Sequence, residues 1–295
     1  MKQLLHFSSR YWMLPLLVIS CWAAQAQDNT EPKKKPKPVK NTFDGLMLGD
    51  IQTVMVPQKH TFTLDIQHRF GTWKKGYEDF FGLFAPSNIR LGASYSIFNN
   101  FVVGAGITKA NMLWNIEGKY AFIRQTKGRY PVSVSFYGNI EIDSRKAENF
   151  IYRSDRVAFF HQLLIARKMN EKISLQFAPS VSHLNSVEGY YSSPGKVSGV
   201  MNNDQVTFSF TGRYKLKETM AVFFNYDQPI TKHRSHNPHP NLQLGLEMTT
   251  SAHSFQFFAG NYASLSPVKN MMFNRNDYRE GMFLIGFNIS RCWNY

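Results

Sequence analysis

Cysteine is nearly missing from this chain: Cys21 and Cys292 are the only two among 295 residues. With Cys21 inside a removable leader, Cys292 would stand alone, so no intramolecular disulfide forms and packing with hydrogen bonding must hold the fold. Long apolar runs are missing as well. After the first two dozen residues nothing approaches the ~18 consecutive apolar residues of a membrane helix, which excludes a helical membrane protein. Acid is scarce relative to base, 20 Asp and Glu against 34 Lys and Arg, for a formal net charge of +14. Much of that excess is terminal: Lys2 and Arg10, then Lys33, Lys34, Lys35, Lys37 and Lys40. Neither a nucleic-acid partner nor a cofactor is expected.

The start of the chain carries Lys2 and Arg10, an apolar run from Trp12 to Ser20 and the small-x-small triplet Ala24-Gln25-Ala26. Residues 1–26 therefore read as a secretory signal peptide, its apolar part too short to span as a helix. A competing reading takes Cys21, in Val18-Ile19-Ser20-Cys21, as a lipidated cysteine. Residues 27–42 read as a basic, Pro/Lys-rich periplasmic linker, extended by its prolines and like charges. The alternative there is a basic arm that touches anionic lipid or polymer. About 270 residues remain after the leader, a length compatible with one barrel domain over 43–295.

The rest of the chain is rich in what strands use: 43% of residues are hydrophobic and 15% aromatic. At the C-terminus Phe283, Ile285, Phe287, Ile289, Arg291, Trp293 and Tyr295 alternate with Asn288, Ser290, Cys292 and Asn294. Period-2 alternation over this length is a β-strand with one apolar face. A strand that closes the chain on an aromatic residue resembles the signal by which outer-membrane barrels are recognised for assembly, carried here by Phe287, Ile289, Trp293 and Tyr295. From Thr61 onward the pattern recurs; Phe62, Leu64, Ile66 and Phe70 oppose Thr63, Asp65, Gln67 and Arg69. Arg156 to Lys168 is apolar on both faces and has the composition of a helix, but its alternating neighbours predict a strand. Twelve such runs are found, which predicts an all-β, up-and-down antiparallel transmembrane β-barrel.

The connections agree with that topology. Those around Asn99, Lys127, Asn170, Lys217 and Ser251 are short, whereas 71–87, 144–152, 184–203, 228–239 and 261–280 are long, with 109–111 the one short connection on the long side. Bacterial barrels have short periplasmic turns and longer external loops. The expected site is the outer membrane of a Gram-negative bacterium with the N-terminus periplasmic, and the expected partners are the lipid bilayer and the outer-membrane assembly machinery. A thirteenth strand-like run, Leu48 to Val56, would make the count odd and is expected to be a periplasmic or lumen-filling segment. Oligomeric state is not legible.

Short motifs add a resemblance. His68-Arg69-Phe70-Gly71, Phe80-Phe81-Gly82, Asn88-Ile89-Arg90-Leu91-Gly92, Gln162-Leu163-Leu164-Ile165-Ala166-Arg167-Lys168 and Leu175-Gln176-Phe177-Ala178-Pro179 resemble a family of Bacteroidota outer-membrane β-barrel proteins of unknown function. The resemblance covers most of the chain after about Thr42. It implies an exported barrel and supplies neither a substrate nor catalytic residues.

Three sets of residues carry candidate chemistry. His233, His236 and His239 share one loop and could hold a divalent metal, although Lys232, Arg234 and two prolines beside them favour a plain solvated loop. His68, His161 and His183 lie on or near strands, where pairing with Asp65 or a serine would mimic a barrel hydrolase; no Ser-His-acid spacing can be read across strands, so no enzyme is expected. The inward parity collects Asp65, Arg69, Arg90, Glu117, Lys119, Glu141, Arg213 and Glu247, with Asp143 and Lys215. Arg69 is expected to brace the barrel by pairing with Glu117 or Glu141, or else to constrict a pore. Two functions remain: a narrow pore or transporter for small solutes, and a structural or binding barrel with a filled lumen that acts through its external loops.

Overall fold

The computed structural model describes residues 37–295 except residue 195. The expected signal peptide, Cys21 and most of the expected basic linker lie outside the described residues. Twelve strands form one closed antiparallel barrel: β1 (Thr61–Thr72), β2 (Asn88–Phe98), β3 (Phe101–Thr108), β4 (Leu113–Ile123), β5 (Ser133–Asp143), β6 (Val157–Lys168), β7 (Ile173–Leu184), β8 (Asp204–Lys217), β9 (Met220–Pro229), β10 (Asn241–Thr249), β11 (His253–Gly260) and β12 (Leu284–Asn294). Each strand pairs with its sequence neighbours, and β12 returns to β1 with Asn294 opposite Thr61, Phe287 opposite His68 and Leu284 opposite Thr72. Closure pairs each strand on both sides and leaves no edge strand, the condition for crossing lipid with strands. No helix among the described residues is long and apolar enough to cross a membrane.

Alternation sets the two faces. Leu64, Ile66, Leu91, Trp114, Ile116, Phe210, Leu244 and Phe257 point outward and exposed, forming the apolar band that lipid covers. The opposite parity buries Gln67, Asn115, Asn139, Gln162, Gln176, Asn225, Gln243, Gln256 and Asn288 inside.

The run from Leu48 to Val56 fills the lumen. Residues 43–60 enter from the short-turn end, and Met47–Leu48 pairs with Ile51–Gln52 in a small hairpin across Gly49. Gly49 has φ 62°, and a Cβ there would meet Gln243 Oε1 at 1.7 Å, so only glycine turns at this depth. Before the hairpin, Val39 N donates to Gln125 O at 2.8 Å and Phe43 is buried. The end of the basic stretch thus lies along the β4–β5 turn.

Two long connections also depart from simple external loops. Residues 261–283 carry α1 (Pro267–Phe273), capped by Ser266 with proline in its first turn, and bury Val268, Asn270, Met271 and Met272 in the barrel. Residues 189–193 and 196–200 form a separate hairpin. Phe43, Leu48, Ile51 and Val54 of the plug, Met271 and Met272 of α1, and Phe160, Leu164 and Ala166 of β6 join in one core. That core explains why β6 is apolar on both faces: lipid covers one side, and the plug with α1 covers the other.

Candidate functional site

A hairpin of two rungs inside a barrel leaves most of its backbone without a sheet partner, and buried amides must find one. The wall's amide side chains supply it. Gly49 N donates to Gln256 Oε1 (2.9 Å), Val54 N to Gln176 Oε1 (2.9 Å) and Asp50 N to Gln243 Oε1 (3.3 Å). In the other direction Asn225 Nδ2 donates to Leu48 O (2.7 Å), Asn288 Nδ2 to Gly49 O (2.7 Å), Gln176 Nε2 to Gln52 O (2.7 Å) and Ser135 Oγ to Val54 O (2.7 Å). Side chains that each donate and accept are the chemistry that would be satisfied equally well by water.

Charge fastens the plug at three points. Arg69 Nη2 lies 2.8 Å from Asp50 Oδ1, and its guanidinium sits 4.5 Å above the Phe258 ring. Arg213 bridges plug and wall, binding Asp44 of the plug and Glu247 of β10, the latter at 2.7 Å. Lys119 is buried and donates to two plug carbonyls, Leu46 O at 2.7 Å and Met55 O at 3.4 Å, so one ammonium holds both legs of the hairpin. A fourth cluster belongs to the wall alone: Arg90 reaches Asp65 at 2.7 Å and Glu117 at 3.4 Å. It lies over Gly92 and Gly106, where a Cβ would come within 2.5 and 2.7 Å of the guanidinium.

The plug divides the interior. Toward the short turns lies a cavity of about 800 Å³, lined by Thr63, Ser94, Lys119, Arg213, Ser290 and Cys292 among others. Between the plug and α1 lies a pocket of about 50 Å³, bounded by Asp50, Glu141, Phe160 and Asn270, with room for a few waters. Ser266 Oγ, which caps α1, donates to Glu141, so the wall also holds the start of α1.

The residues singled out for the lumen, Asp65, Arg69, Arg90, Glu117, Lys119, Glu141, Arg213 and Glu247, all point inward. Arg69 corrects the expectation made for it: it pairs with Asp50 of the plug, and Glu117 and Glu141 take other partners. Asp44, Asp50 and the inward Asp227, which accepts from Asn241 Nδ2 at 3.0 Å, were missed, as was the role of the inward amides. Their recurrence on the polar parity was the available signal.

The three loop histidines part company. His233 is buried, with Nε2 2.7 Å from Gln205 Oε1; His239 Nδ1 lies 3.4 Å from Asp277; His236 is exposed with φ 56°. No group of three or more His, Cys, Asp or Glu residues in metal-holding geometry occurs among the described residues. Burial pushes the His233 imidazole below its ordinary pKa, and the nearby Arg275 charge adds to the effect. His68 stacks on Phe287 at 5.0 Å, His161 on Phe136 at 5.8 Å, both on the lipid face, and His183 pairs with Asp204 at 2.7 Å on the rim. The proposed assembly residues lie along the closing seam: Phe287 on His68, Ile289 opposite Ile66, Trp293 5.8 Å from Phe62, and Tyr295 N donating to His60 O at 3.3 Å.

A closed, even-stranded antiparallel barrel with an apolar outer band and a polar inner face defines an outer-membrane, porin-like β-barrel. The chain matches over residues 43–293 the family described as Membrane bound beta barrel domain (DUF5777), and it belongs to that family. No curated protein matches it. Among solved structures it is similar to the KdgM porin (10% identity, TM-score 0.47, 79% of this chain and 99% of that one), to the NanC porin (10%, 0.49, 79% and 99%) and to an outer membrane channel from Pseudomonas putida F1 (10%, 0.48, 81% and 97%).

Proposed function

We propose that the protein is a passage for small solutes across the outer membrane, closed at rest by its own N-terminal segment, with the short turns and the N-terminus on the periplasmic side. The observation that carries this reading is the lining: beside the apolar core shared with β6, the wall holds the plug's backbone with amides, hydroxyls and ion pairs. Such a wall is as compatible with water as with the plug, whereas a barrel built to stay filled gains most from an apolar interior. The segment enters from the side of the large cavity, so it can withdraw the way it came.

A second reading, a permanently filled barrel acting through its external loops, is favoured by the core that joins Phe43, Leu48, Ile51 and Val54 to α1, to Tyr190 of the loop hairpin and to Met201 just after it. Liposome swelling separates the two. Vesicles holding the full chain should swell in iso-osmotic sugar no faster than empty ones, and those holding a folded chain without residues 42–56 should swell. If the shortened barrel folds and stays impermeable, the filled-barrel reading stands instead.

A further inference from the structure

Residues 73–86, which join β1 to β2 at the long-loop end, carry the Phe80-Phe81-Gly82 motif that neither the wall nor the plug uses. Tyr77 and Phe84 are 83% and 82% exposed, and Phe80 and Phe81 are close to half exposed. The rings form one group: Tyr77 meets Phe80 and Phe81 edge-on at 6.3 and 5.5 Å, and Phe80 lies 5.9 Å from Phe84. Two consecutive phenylalanines adopt left-handed φ, 50° and 56°, a region bulky residues rarely enter. Gly82 follows at φ 83°, so close to Gly71 that a Cβ would meet Gly71 O at 2.2 Å.

The loop holds this shape with its own bonds. Asp79 Oδ1 accepts from Gly82 N at 2.9 Å, Asp79 O from Phe84 N at 3.0 Å, and Gly76 O from Phe81 N at 2.6 Å. The result is a knuckle that turns its aromatics away from the protein. Its stem continues the lipid face: Phe70 lies 6.2 Å from Phe287, and Trp73 meets Phe283 edge-on at 5.5 Å while donating Nε1–H to Gly281 O. Among the described residues no hydrogen bond joins 74–86 to the loops that fold over the mouth. The knuckle therefore stands at the rim, continuous with the surface that lipid already covers.

We propose that the knuckle enters the apolar margin of the leaflet on the long-loop side, with the exposed Lys74 and Lys75 at headgroup level, and so fixes the height of the rim whether or not the passage opens. Aromatic rings with an apolar body are favoured at that depth.

The test uses the full chain with Cys21→Ser and Cys292→Ser, in vesicles of phosphatidylcholine and phosphatidylglycerol. A nitroxide is placed at Tyr77→Cys, at Phe84→Cys or, as a water-exposed control, at Lys232→Cys. The ratio of collisions with oxygen to collisions with a water-soluble nickel chelate should be several-fold higher at positions 77 and 84 than at 232. Asp79→Ala, which removes a bond of the knuckle, should move the Phe84→Cys ratio toward the control, and a heat-modifiability gel confirms folding of each variant. Equal ratios at the three sites would overturn the proposal. So would spectral broadening at 77 and 84 that vanishes on dilution with unlabelled protein, because the rings would then belong to a contact with a second copy.

Discussion

Replacing Asp50 by alanine should loosen the plug and leave the barrel intact. Arg69 is fully buried, and among the described residues Asp50 is the only carboxylate within 4.0 Å of it. Without Asp50 the guanidinium keeps three neutral acceptors, His68 O at 2.8 Å, Asn288 Oδ1 at 2.9 Å and Phe287 O at 3.4 Å, and the face of Phe258. Removing one partner of a buried pair costs ~3–5 kcal/mol because the other charge stays behind; the retained acceptors place this case at the lower end, about 3 kcal/mol. The wall keeps all its ladders, so the loss falls on the plug, and its open population should rise roughly a hundredfold. Hydrogen exchange at the Gly49 and Val54 amides, both bonded to wall glutamines at 2.9 Å, reads that change, with wall amides such as that of Phe210 as the control. Asp50→Asn, which keeps the acceptor and loses the charge, should fall between. Unchanged protection at Gly49 and Val54 in Asp50→Ala would refute the reasoning.

Three further outcomes are expected. Cys292 lines the cavity at the short-turn end, so a membrane-impermeant thiol reagent should modify it after the periplasm is opened and not on intact cells. Removing Trp293 to Tyr295 takes away the rungs to Phe62 and Thr61 and should abolish assembly, read as loss of the heat-modifiable band in membrane fractions; a stable, folded truncated barrel would count against a closing role for this seam. His233 has a depressed pKa in the folded loop, so the unfolded loop binds the proton more readily. Its contribution is therefore present above the unfolded value near 6.5 and is lost as pH falls below it; protease cleavage of 230–240 should rise at pH 5, and His233→Gln should remove that pH dependence.

The wall was legible because a strand's period of two survives in any sequence whose two faces meet different solvents, and here lipid and a polar interior differ sharply. The same parity placed Arg69, Arg90 and Glu117 inside. It could not say what they touch, since alternation names a face and not its occupant. Arg69 illustrates this: its partner Asp50 lies 19 residues earlier, in a segment whose location no periodicity determines. One clue to a filled lumen was present, the doubly apolar β6, but apolar residues on both faces also suit a helix, and only packing separates the two. The Ser266-Pro267 start of α1 was a readable cap and first turn, lost because seven residues are too few to show a helical period. The parting of His233, His236 and His239 depends on Gln205 and Asp277, which only the fold brings near.

Single-channel recording on the full chain and on the chain lacking residues 42–56 tests most directly whether the plug closes a polar-walled passage. Without the plug the wall offers Arg69, Arg90, Lys119, Arg213 and Lys215 against Asp65, Glu117, Glu141, Asp143, Asp227 and Glu247, a nearly balanced interior without the ring of one sign that selectivity requires. The full chain should show no steady conductance, and the shortened chain a steady one whose reversal potential under a tenfold salt gradient lies near zero. A folded, shortened barrel that conducts no better than the full chain, or a full chain that is already open and strongly selective, would contradict the account.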